Sequence, residues 1–166
     1  MALHDDLLEQ ARHLASREPR RPRQASLRRA VSSAYYALFH LLATEGARRF
    51  SATRPSILRT RVRRAFTHRN MQEVCRQFAA GTPNATTAQL LSGPLTPQLR
   101  QVASAFAELQ DARHEADYDL ATAFIRINVL QKVDVAEQAF VAWRAIRSDP
   151  SASVFLAALL LQQHWR

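Results

Sequence analysis

Apolar residues recur along this chain at steps of three and four, the period of an amphipathic helix. Leu3, Leu7, Ala11 and Leu14 open it as a first helix. Glu18-Pro19-Arg20-Arg21-Pro22-Arg23 follows as a connector, because proline lacks a backbone donor and restricts the residue before it. This basic link reads as a solvated loop or as a grip for phosphate. A long second helix is predicted from about Gln24 to Phe50. Leu27, Val31, Ala34, Leu38, Leu41 and Leu42 share one stripe, with Tyr35 at its edge. Arg29, Ser32, Ser33, Tyr36, His40 and Ala43 fall on the opposite side. An ordinary solvent face would carry more Glu and Lys. This mixed face is therefore expected to meet something: another helix, a second copy of the chain, or a ligand.

Arg54-Pro55-Ser56 breaks that helix, with Ser56 as the N-cap of a third, Ile57 to about Phe66. The third helix carries Arg59, Arg61, Arg63 and Arg64. Asn70, with Glu73 three residues on, resembles a capping box and opens a fourth helix. Met71, Val74, Cys75 and Phe78 form its inner stripe, and Gly81 is its stop. Residues 81–97, rich in Gly, Pro and Thr, read as the one long loop. Thr96-Pro97 restarts a helix, with Leu99, Val102, Phe106 and Leu109 on its buried side. It ends near Arg113-His114-Glu115-Ala116-Asp117-Tyr118-Asp119, where Asp117 and Asp119 are good N-caps for the helix after them. That next helix runs to about Arg147 on a stripe of Ile125, Val129, Val133, Ala136, Phe140 and Trp143. Asp149-Pro150 caps a last helix, residues 151–165, that is apolar around more than half its circumference. Such a helix must be docked on its own chain or on a partner, and a homodimer contact is the expectation. The architecture implied is all-α, a bundle of six to seven helices. It forms a single domain over residues 1–166, with its core bundle over 3–147.

Composition narrows the setting. At 166 residues and 47% hydrophobic content the chain suffices for one domain with a proper core. Its single cysteine, Cys75, excludes an internal disulfide framework and fits a reducing compartment. Asp5, Asp6 and Glu9 interrupt the place where a signal peptide's apolar core would sit. The longest apolar run, Val154 to Leu161, is eight residues, against the roughly 20 a membrane span needs. A soluble, cytoplasmic protein with no membrane partner is expected. The net charge of +9 is uneven: residues 1–80 hold 16 Arg, no Lys and 6 acidic residues, net +10, and the remainder is −1. Phosphates attract such a surface, so a polyanion is the direct reading. The competing reading is compositional, since 22 of the 23 basic residues are Arg and Arg also lies over apolar surface. The six His are scattered and Cys75 has no second thiol, so no metal site is expected. No glycine-rich phosphate loop and no Ser-His-Asp spacing appears, and no cofactor is implied.

Two segments carry a resemblance. Gln24-Ala25-Ser26-Leu27-Arg28-Arg29-Ala30-Val31-Ser32-Ser33-Ala34-Tyr35-Tyr36-Ala37-Leu38-Phe39-His40 resembles the second helix of the HEPN family (higher eukaryotes and prokaryotes nucleotide-binding). The later Arg113-His114-Glu115-Ala116-Asp117-Tyr118-Asp119 is similar to the Arg…Ala-Asp-Tyr segment of a prokaryotic branch of that family. With the intervening Ala65-Phe66-Thr67-His68, the resemblance covers roughly residues 3–147. It implies an up-and-down helical bundle, commonly dimeric, and a protein that binds RNA or nucleotide. It also suggests a toxin–antitoxin or defence component partnered by a cognate antitoxin or nucleotidyltransferase. Many members are metal-independent ribonucleases whose motif is Arg, four to six residues, then His. There the Arg holds the scissile phosphate and the His is general acid or base.

This chain departs from that motif. Five residues after Arg113 stands Tyr118, and tyrosine, with a reference pKa of about 10, is a poor base at neutral pH. His114 adjoins Arg113, but successive helical residues point about 100° apart. Arg61 and Arg63 lie seven and five residues before His68, spacings that so many arginines produce by chance. The candidate catalytic residues are Arg113, His114, Tyr118 and His40. The candidate ligand-binding residues are Arg29, Ser32, Tyr36 and Asp117. Each also has a structural reading: Tyr35, Tyr36 and His40 as core or interface, and Arg113 with Glu115 and Asp117 as an ion pair. If Arg113 points at the face bearing Ser32, Tyr36 and His40, the two segments form one polar site. An active ribonuclease with a substitute His and a non-catalytic dimerising protein are the alternatives.

Overall fold

A helix buried on one side needs a single apolar stripe; the middle of the second helix of this chain is covered on every side. In a computed structural model describing residues 1–52 and 55–165, no residue from Ala30 to Ala43 is exposed. The chain is an all-α helical bundle, and no strand occurs among the described residues. The described residues form eight α-helices, α1 (Leu3–Ser16), α2 (Gln24–Ser51), α3 (Ser56–Arg64), α4 (His68–Ala80), α5 (Ala85–Leu90), α6 (Pro97–Tyr118), α7 (Arg126–Ile146) and α8 (Pro150–Leu161). A 3-10 turn over Gln162–His164 follows. The helices form two compact units, Met1–His40 with Ala105–Phe140, and Leu41–Ser104 with Val141–Arg166. The division falls within α2, α6 and α7, each of which contributes to both.

In the first unit, α1, the start of α2, the end of α6 and the start of α7 share a core. Leu27, Val31, Ala34 and Leu38 are fully buried, as the stripe predicts, and so are Phe106, Leu109, Val129 and Val133. Tyr35 joins them and packs against Phe106 with ring centroids 5.4 Å apart. Ile125 does not: it precedes α7 and is exposed. The proline-arginine connector leaves Arg20, Arg21 and Arg23 in solvent but is fastened at its ends. The guanidinium of Arg126 donates to the carbonyls of Glu18 and Pro19. Glu18 Oε1 accepts from the buried Ser26 hydroxyl at 2.9 Å, bracing the start of α2.

In the second unit α8 docks on its own chain. Phe155 packs on Phe78 of α4 at 4.9 Å and on Trp143 at 6.3 Å, and Leu156 and Leu159 are fully buried. The apolar circumference that suggested a second copy is thus largely used within the chain. Asn70 is not a cap. The helix starts at His68, and Thr67 caps it by accepting from the Asn70 N–H. The Asn70 side chain, 4% exposed, instead donates to the carbonyls of Leu159 (2.6 Å) and Ala158 (3.2 Å). Those carbonyls lie in the last turn of α8, where intrahelical donors run out, although the Ala158 carbonyl also accepts from the Gln162 N–H. Ser56 also does not cap: Pro55 holds that position, without a side-chain cap, and Arg54 of the predicted break lies outside the described residues. Close packing explains Gly46, where a Cβ would come 2.4 Å from the Phe66 ring.

Residues 81–97 are not one loop. Gly81 ends α4 in the left-handed region, φ 75°, as predicted, but the six-residue α5 then forms, capped by Asn84. A buried polar knot pins it: the Thr87 hydroxyl donates to Gln162 Oε1 (3.0 Å), whose amide donates to Gln77 Oε1 (3.1 Å). Thr96 and Asp149 cap α6 and α8 as the sequence predicts, accepting from the N–H groups of Leu99 and Ser151. Burial holds the Cys75 thiol well above its ordinary pKa. Among the described residues no helix is long and apolar enough to cross a membrane.

Asn70→Ala removes both bonds, the Ala158 carbonyl keeping the Gln162 N–H, so it is expected to lower unfolding free energy by about 1–3 kcal/mol; urea denaturation followed by circular dichroism measures it, and an unchanged midpoint refutes the assignment. Asp149 accepts from the Ser151 hydroxyl and N–H, which hold its carboxyl below the ordinary range. A lowered folded-state pKa gives stability that is present above the unfolded value, about 3.9, and lost as pH falls through the folded one. Asp149→Asn should therefore lower stability above about pH 4 and converge with the wild type in acid, which flattens the acid limb of the stability–pH curve.

Candidate functional site

The site is built on a row of α2 residues stepping by four: Gln24, Arg28, Ser32, Tyr36 and His40. Side chains four apart lie one above another on a helix. In the first unit, four of the five meet the end of α6 or the loop after it. Gln24 exchanges two 2.8 Å hydrogen bonds with the backbone of Phe124. The Arg28 guanidinium donates to the carbonyls of Ala116 (2.8 Å), Asp119 (2.8 Å) and Thr122 (2.6 Å) and lies over the Phe124 ring. Ser32, 5% exposed, donates to Asp117 Oδ1 at 2.7 Å. Tyr36 Oη accepts from Arg113 Nη2 at 3.3 Å. Partners descend in number along α6 as they rise along α2, so the two helices run antiparallel here.

Arg113 is the centre. Its side chain is 17% exposed, and its Nε lies 3.1 Å from Asp117 Oδ2. The Nε–H is not aimed at that oxygen and makes no hydrogen bond, so the contact is an ion pair by proximity. The guanidinium carbon sits 5.6 Å from the ring centroids of Tyr35 and Tyr36 and 6.0 Å from that of Tyr118, within cation–π range. Burial works against the charge, but Tyr36 and then Asp117 outweigh it and hold the guanidinium above its ordinary pKa. Tyr36 stacks on His40 at 6.2 Å. Tyr118 is 66% exposed and meets His114 at 4.9 Å.

The structure thus brings together Arg113, Asp117, Tyr118, Ser32 and Tyr36, with His40 and His114 at the margins. Arg29 stands apart, exposed on α2, and Ser33 turns to Gln10 of α1 (3.1 Å). Arg61 and Arg63 sit on α3, while His68 opens α4, so a helix boundary separates each of these pairs. Asp117 and Asp119 do not cap α7, which starts only at Arg126. Asp117 belongs to α6, and Asp119 accepts from the N–H groups of Ala121 and Thr122 and the Thr122 hydroxyl, folding the loop between the helices. Those bonds hold its carboxyl below the ordinary range. Arg28 and Gln24 escaped sequence reasoning. The signal was present as the step of four that leads from them to Ser32, but their partners are backbone groups.

Chemically the cluster offers one cation, one carboxylate, phenol hydroxyls and an exposed aromatic edge. Arg113 can hold a phosphate oxygen only by sharing its charge with Asp117, and Tyr118 presents a face on which a base can stack. Among the described residues no group of three or more His, Cys, Asp or Glu could hold a metal ion. Comparison with family models, with characterised proteins and with solved structures gives no match to this chain.

Asp117→Ala leaves the Ser32 hydroxyl without its acceptor and the Arg113 charge without its counter-ion, and is expected to cost about 1–3 kcal/mol. Arg113→Ala in the same background should recover part of that loss. A double-mutant cycle by urea denaturation reads the coupling; strictly additive effects would show that the two side chains are not energetically paired.

Proposed function

We propose that this chain is a HEPN-like protein that binds RNA or nucleotide, with Arg113 as the anion anchor. Tyr36, Asp117 and Tyr118 frame the anchor, and His40 lies behind Tyr36. The observation that supports the reading most is the Arg113–Tyr36 hydrogen bond. It joins two segments 77 residues apart, each of which resembles the family, into one polar cluster. The surplus of arginine in residues 1–80 supplies the long-range attraction a polyanion needs. The resemblance extends the proposal to a toxin–antitoxin or defence setting with a cognate partner and a homodimeric state.

A ribonuclease reading draws on His114. It lies outside the family spacing, yet its ring meets Tyr118, which borders Arg113. A titratable group therefore stands at the edge of the cluster. The dimerising reading rested on the mixed face of α2 and the apolar last helix, and both find partners within their own units.

Labelled RNA incubated in chelator at low and moderate salt tests the proposal. The wild type should bind with an affinity that falls as salt rises. Arg113→Ala should weaken binding roughly tenfold or more, the loss of one or two charge-assisted hydrogen bonds, with helix content unchanged. Asp117→Asn should tighten it, because the guanidinium is freed for the ligand. Equal binding by wild type and Arg113→Ala overturns the proposal. Cleavage in chelator to cyclic-phosphate products, abolished by Arg113→Ala and His114→Ala, would establish the ribonuclease.

A further inference from the structure

A groove of about 240 Å³ lies in the second unit between α2 and α3, lined by Thr44, Arg48, Ser56, Arg59, Thr60 and Arg63. Arg59 and Arg63 stand on successive turns of one face of α3, about 6 Å apart along its axis. Arg48 comes from the α2 wall. Among the described residues lining the groove there is no carboxylate. Arg48 itself makes a loose ion pair, Nη1 to Glu45 Oε1 at 3.6 Å, and Glu45 also accepts from Trp143 Nε1 through its other oxygen. Arg59 spends one donor on the Ala52 carbonyl at 3.4 Å. Arg63 is exposed. The groove along α1 lined by Asp5, Glu9, Arg12 and Glu137 is the opposite case: Arg12 is bound there by Glu137 (2.6 Å) and Asp134 (2.5 Å), which raise its pKa.

We infer that the α2–α3 groove is a phosphodiester-binding site for single-stranded RNA, separate from the Arg113 cluster. Guanidinium forks match phosphate oxygens in pairs, and the hydroxyls of Thr44 and Ser56 add neutral donors beside them, while Thr60 spends its own on the Ser56 carbonyl. Three cations in one groove exceed what a single bound monoanion neutralises, so a strand with one charge per diester fits better. Arg61 and Arg64, exposed on the rest of α3, extend the positive field along the strand. Nothing in the chain's core requires the charges, since α3 buries no residue. The exposed Ile57 and Leu58 of α3 give the rival occupant, an anionic lipid surface. The inference shares with the preceding proposal only the class of ligand.

The test is fluorescence anisotropy of a labelled single-stranded RNA with the full chain over a salt series. Arg59→Gln/Arg63→Gln should weaken binding about tenfold or more and reduce the slope of log affinity against log salt by about 1.4, two contacts at ~0.7 each. Arg20→Gln/Arg21→Gln removes the same charge from the exposed connector and should change affinity far less. Circular dichroism should be unchanged for both pairs. Equal losses from the two pairs would mean diffuse attraction and overturn the groove. So would retention of RNA affinity by Arg59→Gln/Arg63→Gln while binding to phosphatidylserine vesicles is lost. Loss of binding in Arg113→Ala but not in the groove pair overturns this inference and leaves the Arg113 anchor standing; the reverse leaves the groove standing without the anchor. Absence of RNA binding by the wild type overturns both.

Discussion

The polar seam between α2 and the end of α6 is the constraint on which the first unit depends. A long helix surrounded by protein can carry Gln24, Arg28, Ser32 and Tyr36 on one row only if each polar group finds a partner. The partners lie on one antiparallel stretch and are matched in step: 28 with the end of α6, 32 with 117, 36 with 113. A slip of one turn would set Ser32 near Arg113 and leave Asp117 facing Arg28 instead of the hydroxyl. The seam therefore fixes register as well as adhesion, which an apolar stripe of Leu and Ala does weakly. Arg28 also resolves the problem of a helix end. The carbonyls of Ala116, Asp119 and Thr122 lack helical donors, and one guanidinium serves all three.

The same seam sets terms for any ligand. Arg113 is not a free cation awaiting phosphate; it contributes to helix pairing through Tyr36 and Asp117. An anion at this place must be offered charge that the fold already shares. That arrangement weakens binding relative to an unpaired arginine, but it orients the guanidinium before a ligand arrives, which lowers the entropic cost of association. Tyr118 and His114 at the outer edge meet solvent, as does Asp117. Recognition at this edge would combine stacking on Tyr118 with a single anchored charge.

Much of this was legible in the sequence where the determinant is local. The stripe of α2, the stop at Gly81 and the caps at Thr96 and Asp149 are decided by residues within a turn of one another. So is the expectation that the mixed face of α2 meets something. What periodicity cannot say is whether that something belongs to the same chain, and the answer in the first unit is α6. Asn70 shows how a local pattern misleads: Asn followed by Glu at three mimics a capping box. Thr67 offers the same chemistry one turn earlier, and the Asn70 amide serves α8 from 88 residues away. The helix α5 was illegible for a different reason. Six residues are too short to show a period, and its stability lies in the long-range knot of Thr87, Gln162 and Gln77.

Net charge needs the same correction. Taken as a sum, the surplus in residues 1–80 argues for a polyanion without saying where. The contacts divide the arginines into two kinds. Arg12, Arg28, Arg49, Arg100, Arg113 and Arg126 spend their donors on carbonyls or on the side chains of the fold. They are structural cations whose donors are largely used on the spot, and two of them, Arg12 and Arg113, also face carboxylates. Among the described residues, the arginines of the connector and α3 make no hydrogen bond from a guanidinium to a carboxylate; the bond from Arg23 to Glu18 is made by its backbone N–H. An arginine-rich composition is therefore weak evidence for nucleic acid until the internal uses are set aside. Four of those that remain, Arg59, Arg61, Arg63 and Arg64, lie on a nine-residue helix with no buried residue, a cost in packing that a groove for phosphate would explain.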